Sequence, residues 1–337
     1  MTPHPWNLPA WRALWKEPER LPHALLVHGP RGIGKLAFAR ALAMTLLCQA
    51  PRRAGPDVTA CGTCPSCHWF NQGSHPDFKL IEPAEAGEDE AVAGEQGTPR
   101  KGARPIGIAD IRTLGEFLAL AAHQGGWRVV VVHPAETMNA AAANALLKTL
   151  EEPPARVLII LVAHQPRRLL ATVLSRCRKL ALPVPDWAQA LDWLRQEAPD
   201  APEALLREAG GAPLLALEFA DSERRQRRDR FIAALAAGDA GTLSSLAQEY
   251  QARPEEAWGW LSRWLHDLMR VVHGAPRYFP EHASTLERLA RCADAGALLA
   301  LDEALRRDGR WLRHPLNGQL LLESWLLRYG DVARSGY

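Results

Sequence analysis

The sequence contains no uninterrupted apolar run near the roughly 20 residues that a membrane-spanning helix needs, so a bilayer span is not expected. Its first residues, Met1-Thr2-Pro3-His4-Pro5-Trp6, lack the basic and apolar segments of a signal peptide, and a cytoplasmic protein is the expectation. An excess of either charge is missing too. Forty Lys and Arg against 38 Asp and Glu leave a formal net charge of +2, which neither requires nor forbids nucleic acid as a partner. Cysteine is sparse at six residues, and in a cytosolic chain that favours metal ligation or free thiols over disulfides. What the chain does have is ordinary core material. With 337 residues, 47% of them hydrophobic, it suits two or three domains of about 100–200 residues each. Twelve tryptophans are scattered along it and read as packing anchors.

A phosphate-binding pattern appears early, with its last position altered. Gly29-Pro30-Arg31-Gly32-Ile33-Gly34-Lys35-Leu36 follows an apolar strand expected over 24–27 and opens a helix expected over 36–47. The pattern G-x-x-x-x-G-K-[ST] uses glycines to turn backbone N–H groups toward phosphate, a lysine to reach the terminal phosphates, and a hydroxyl to hold magnesium. Gly29, Gly32, Gly34 and Lys35 are candidate nucleotide-binding residues. Leu36 stands where the hydroxyl belongs and cannot ligate a hard cation.

Cys48 closes the predicted helix, and Cys61-Gly62-Thr63-Cys64-Pro65-Ser66-Cys67 follows. Cys48, Cys61, Cys64 and Cys67 supply four thiolates for one tetrahedral zinc, with no coordination position left open, so the metal would be structural. His68 is redundant to that set and reads as a surface histidine. Cys177 and Cys292 read as small buried residues.

The pattern then alternates. Strands are expected over 78–81, 129–132, 157–162 and 179–182, with helices over 110–122 and 139–152 and a short helix from Arg168. The segment 83–105, acidic first and basic last, buries too little to fold and reads as a mobile loop. Unbroken β-branched or aliphatic strands separated by helices predict a parallel α/β sheet covered on both faces. A phosphate-loop ATPase places an aspartate at the end of its second conserved strand to hold the magnesium shell. Here Val129–Val132 runs into His133-Pro134-Ala135, and the nearest carboxylate is Glu136.

Gly29 to Lys35, the four cysteines, Asn144-Ala145-Leu146-Leu147-Lys148-Thr149-Leu150-Glu151-Glu152-Pro153-Pro154 and Ser175-Arg176-Cys177 together resemble the bacterial clamp-loader members of the AAA+ family. The degenerate nucleotide positions look like those of the non-catalytic members of the DNA polymerase III clamp loader. The resemblance is firm over residues 6–220 and rests on architecture alone beyond that. It implies three regions: an AAA+ P-loop domain over 1–183 with a zinc module at 48–67, a small helical lid over 184–222, and an all-helical collar over 223–337 used for oligomerisation. It implies that Arg176 is an arginine finger acting in trans on a neighbouring subunit's ATP site. The family's motor subunits carry a further arginine after a Gly-Gly turn. Gly210-Gly211-Ala212-Pro213 keeps the turn without the arginine, a third loss beside Leu36 and His133. The implied partners are the delta and tau/gamma subunits in a hetero-pentamer, the sliding clamp, and primed DNA through the assembly. Weak or absent ATP binding and no intrinsic hydrolysis are expected. The competing readings are an active clamp-loader ATPase subunit and a zinc-dependent nucleic-acid-binding module.

From residue 230 onward the sequence lacks any titratable cluster, glycine loop or metal spacing. Pro183-Val184-Pro185 reads as a stiff hinge, and helices are expected over 187–196, 203–209 and 214–220. The charge run 222–230 reads as a solvated helix start. Helices follow over 231–237, 242–250, 255–273, 283–292, 295–307 and 315–329, suggesting a packing surface without chemistry.

Overall fold

A computed structural model describes residues 2–17, 20–84, 104–119, 123, 126–309 and 318–334. The chain divides into two compact units, Met1–Trp193 with Gly211–Leu215, and Leu194–Gly210 with Ala216–Tyr337.

In the first unit a 3-10 turn, Pro5–Asn7, leads into α1 (Leu8–Trp15), β1 (Ala24–His28) and α2 (Lys35–Leu47). A short hairpin of β2 (Arg52–Ala54) and β3 (Asp57–Thr59) and helix α3 (Pro65–Asn71) come next; the sequence pattern gave no signal for either. Then come β4 (Phe78–Ile81), α4 (Ile108–Ala119), β5 (Arg128–Val132), α5 (Ala140–Glu151), β6 (Val157–Ala163), α6 (Ala171–Leu174), β7 (Arg178–Ala181) and the first part of α7 (Trp187–Glu197), whose residues from Leu194 belong to the second unit. Five strands form one sheet in the order β4-β5-β6-β1-β7, every pair parallel. This is the expected P-loop AAA+ architecture, with the loop leaving a strand paired on both edges.

Alternation along the strands explains how both faces are covered. Leu25, Val27, Val129, Val131, Leu158 and Ile160 point to the face packed by Phe38, Leu42 and Trp11. Leu26, Val130, Val132, Ile159 and Leu161 point to the face packed by Leu114, Leu118, Leu146 and Leu150. Every residue of β6 is buried, and each such aliphatic side chain contributes about 1.5–3 kcal/mol over its exposed state. Antiparallel bridging of Ala84 with Arg104 brings the flanks of the 83–105 segment together; residues 85–103 lie outside the described residues. The residues expected to form one helix from 168 are instead a 3-10 turn, Pro166–Arg168, followed by the four-residue α6, because Leu169 and Leu170 are extended between them.

The second unit contains α8 (Pro202–Glu208), α10 (Ser222–Ala237), α11 (Ala240–Glu249), α12 (Pro254–Val271), α13 (Ala283–Cys292), α14 (Ala295–Asp308) and α15 (Gly318–Arg334); the short α9 (Pro213–Glu218) divides between the two units. Its core is aromatic at the centre: Phe231, Tyr250, Trp260, Trp264, Phe279, Trp325 and Tyr329 are all buried. The Tyr329 hydroxyl accepts from Trp264 Nε1 and donates to the Leu235 carbonyl, both at 2.8 Å, so its one polar group is satisfied inside the core.

Here the charge run departs from the sequence expectation. Residues 222–230 form the first half of α10, but Arg224 is buried and Arg228 is largely shielded. Glu208 of α8, itself buried, accepts from Arg224 at 2.6 Å and from Trp260 Nε1 at 3.2 Å, with Arg228 Nε also 3.2 Å away. The Arg224 guanidinium lies 3.7 Å above the Phe219 ring. A carboxylate 14 residues upstream of the run turns two of its arginines, Arg224 and Arg228, inward, and no local pattern in 222–230 announces that.

Candidate functional site

The phosphate loop keeps its shape and answers its own polar groups. Gly34, at φ 84°, caps α2, and a Cβ there would stand 2.5 Å from His4 Cδ2. Trp6 Nε1 and Asn7 Nδ2 both donate to the Ile33 carbonyl at 2.9 Å. On the other side Leu214 N–H donates to the Gly32 carbonyl at 2.9 Å, and Leu215 is so close that a Cβ on Gly32 would sit 2.4 Å from its own Cβ. Lys35 is buried, and its ammonium donates to the Pro30 carbonyl of the same loop. Burial pulls its pKa down to about 8, opposed by the negative charge of Glu136. Leu36 is half-buried and packs against the apolar face of the sheet.

The strand end opposite the loop is equally committed. His133 Nδ1 lies 3.0 Å from Glu82 Oε1. Glu136 Oε1 accepts from the backbone N–H groups of His164 and Gln165 at 2.9 and 3.0 Å, tying down the turn after β6. One oxygen of that carboxylate therefore holds a turn, while Oε2 is buried without a hydrogen-bond partner among the described residues. His164 stacks edge-on to His133 and is kept neutral, its pKa pushed down to about 3 by burial and then by Lys35, His133 and Arg31.

At the other end of α2 the four cysteines converge. The Sγ atoms of Cys48, Cys61, Cys64 and Cys67 all lie within 4.8 Å of one another, with Cys48 to Cys64 and Cys61 to Cys67 both at 3.9 Å. A tetrahedral site with metal–sulfur bonds of about 2.3 Å needs sulfurs about 3.8 Å apart. Backbone amides aim at the sulfurs: Cys61 N–H at Cys48 Sγ (3.2 Å) and Cys64 N–H at Cys61 Sγ (3.3 Å). Such donors favour thiolate, and those from Thr63 and Cys64 bring the Cys61 pKa down to about 5, whereas burial holds Cys67 up. The four cysteines are arranged to hold a metal ion. His68 is exposed and pairs with Gln72 (2.9 Å), outside the cluster as expected. Behind it Ser66 Oγ donates to the Leu47 carbonyl (2.6 Å) and meets His75 Nε2 (2.8 Å), fastening α3 to the end of α2.

Arg176 is separate from both. It sits between α6 and β7, its side chain about one-third exposed, with Nη2 2.6 Å from Glu151 Oε1 and Nη1 2.9 Å from the Thr172 carbonyl. Cys177 beside it is buried, which pushes its thiol pKa up to about 11.

Residues 13–186 match the family model described as DNA polymerase III, delta subunit, and residues 222–330 match its C-terminal counterpart. The chain is 33% identical to DNA polymerase III subunit delta' of Pseudomonas aeruginosa, with 99% of each chain covered. The chain belongs to the DNA polymerase III delta-prime family. It is 35% identical to the Escherichia coli delta-prime subunit over 81% of this chain and 78% of that one. It is also 31% identical to the tau subunit of the same organism, over 60% of this chain and 29% of that one.

Of the residues singled out in the sequence, this delta-prime family chain brings together the four cysteines and, separately, the loop residues Gly29, Gly32, Gly34 and Lys35. The hydrogen bonds of Arg176 go to α5, α6 and Ser175, not to the loop. The sequence analysis missed His4, Trp6 and Asn7 at the loop, Glu82 and His164 at the strand ends, and Glu151 beside Arg176. Only Glu151 carried a signal, because it stands in the Leu-Glu-Glu-Pro-Pro run.

Proposed function

We propose that this chain is the non-catalytic delta-prime subunit of a DNA polymerase III clamp loader, working in the cytoplasm with delta and tau/gamma subunits in a hetero-pentamer. In that assembly it helps place the sliding clamp on primed DNA. Its chemical contribution is Arg176, offered in trans to a neighbouring subunit's ATP site. The carrying observation is the contrast between Arg176, part-exposed with a fixed guanidinium, and the chain's own loop, whose lysine donates to a carbonyl of the loop itself. An active ATPase would need a hydroxyl at Leu36 and a free acid near His133. The loop is read as scaffold, with ATP binding weak or absent and no hydrolysis. The cysteine centre is read as a structural zinc site, since four thiolates leave no position for substrate. The functional division is taken as a nucleotide-type domain over 1–183, a lid over 184–222 and an oligomerising collar over 223–337.

The test is ATP turnover by the clamp loader reconstituted with Arg176→Ala. Assembly is expected to be intact, with turnover at the adjacent site falling by about 10³-fold, the lower end of the effect of an arginine supplied in trans. Unchanged turnover removes the role.

A further inference from the structure

Glu151 is the last residue of α5, where the partial negative charge of the helix terminus disfavours a carboxylate. Its carboxylate nevertheless reaches across to Arg176, with Oε1 2.6 Å from Nη2. The guanidinium is held from a second direction by the Thr172 carbonyl of α6, 2.9 Å from Nη1, and more weakly by Ser175 Oγ at 3.5 Å. Two acceptors on two different helices fix both the position and the plane of the fork. At least two of its five N–H donors remain for an incoming anion. An arginine side chain otherwise samples many rotamers, and ordering it at the moment of use lowers its effect on a transition state. Glu151 and Arg176 are both substantially exposed, and exposed pairs of this kind contribute little to stability. The geometry is therefore better explained by orientation than by holding the fold together.

We propose that Glu151 is a positioning residue for Arg176, setting the direction of the guanidinium before a neighbouring nucleotide meets it. This rests on the in-trans role proposed for Arg176. The experiment compares steady-state ATP turnover by the reconstituted clamp loader carrying Arg176→Ala, Glu151→Ala, Glu151→Gln or the Arg176→Ala/Glu151→Ala pair, with assembly and thermal midpoint measured for each. Glu151→Ala is expected to lower kcat by roughly tenfold with KM and assembly unchanged. Glu151→Gln, whose amide oxygen still accepts, is expected to recover to within about threefold of the parent. The double variant should be no slower than Arg176→Ala. Normal turnover with Arg176→Ala sinks the underlying in-trans role. A slow Arg176→Ala with a normal Glu151→Ala overturns the positioning role and leaves the finger standing. A double variant slower than Arg176→Ala, or loss of assembly in Glu151→Ala, also overturns it, because Glu151 would then act independently of the arginine.

Discussion

Helix α2 receives the glycine loop at Lys35 and ends where Cys48 takes the chain into the cysteine cluster. Both ends carry the residues of a ligand site, yet they differ in what surrounds those residues. At the N-terminal end Lys35, the side chain that would meet a phosphate, donates to the Pro30 carbonyl of its own loop, and the loop carbonyls of Gly32 and Ile33 accept from Leu214, Trp6 and Asn7. At the C-terminal end four sulfurs face one another at ligand spacing, with backbone amides donating to those of Cys48 and Cys61. A loop whose backbone also joins a central strand to a buried helix has a use in that join with or without a ligand. A set of four thiols has no such second use, and four sulfurs gathered without a cation are poorly stabilised.

Three substitutions sharpen this contrast. The largest effect is expected from Cys67→Ala, or from chelation of the parent protein. Loss of stoichiometric metal should accompany destabilisation of the first unit by about 4 kcal/mol or more, read by metal analysis and thermal unfolding. An undiminished metal content would show that the cysteines are not the ligands. The second is Lys35→Met, for which the sign is reversed. The lysine pKa is depressed to about 8 in the folded chain, from an ordinary value of 10.5. Below pH 8 both states are protonated and the folded one carries the cost of a buried ammonium. That cost is relieved as pH rises from about 8 toward 10.5, so stability should climb across this window. Lys35→Met should stabilise the protein by about 1–3 kcal/mol at pH 7 and abolish the climb. A destabilised Lys35→Met would mean that the loop still needs its cation. The smallest is Leu36→Thr, which restores the hydroxyl while removing part of a half-buried side chain. A cost of about 1 kcal/mol is expected, with no ATP turnover by the isolated chain, since β5 still runs into His133 where an aspartate would stand. Measurable turnover would reduce the degeneracy to one residue.

Much of the α/β unit was legible because its signals are local. Four consecutive valines in β5, the glycines before α2 and the cysteine spacing each state their structure within a few residues. The five-stranded order could not be read that way, since β1 lies between β6 and β7, more than 100 residues downstream. The β2–β3 hairpin was missed because three-residue strands with exposed arginines carry no alternation to detect. The arginines of α10 were misjudged for a related reason. A charged stretch looks solvated until its counter-ion is located, and Glu208 lies on another helix. Glu136 was legible as the nearest carboxylate but not as the anchor of the turn after β6, which depends on the strand beside it.

Glu208 has a mechanical consequence. Arg224 and Arg228 come from successive turns of α10, Trp260 comes from α12, and one carboxylate on α8 meets all three. Sliding α8 past α10 would strand a charge away from water, at about 3–5 kcal/mol, and sliding α12 would cost the Trp260 hydrogen bond. The three helices are in effect riveted. Residues 202–208 are thereby cross-linked to both long helices through a single side chain, a non-covalent staple placed where the chain has no disulfide.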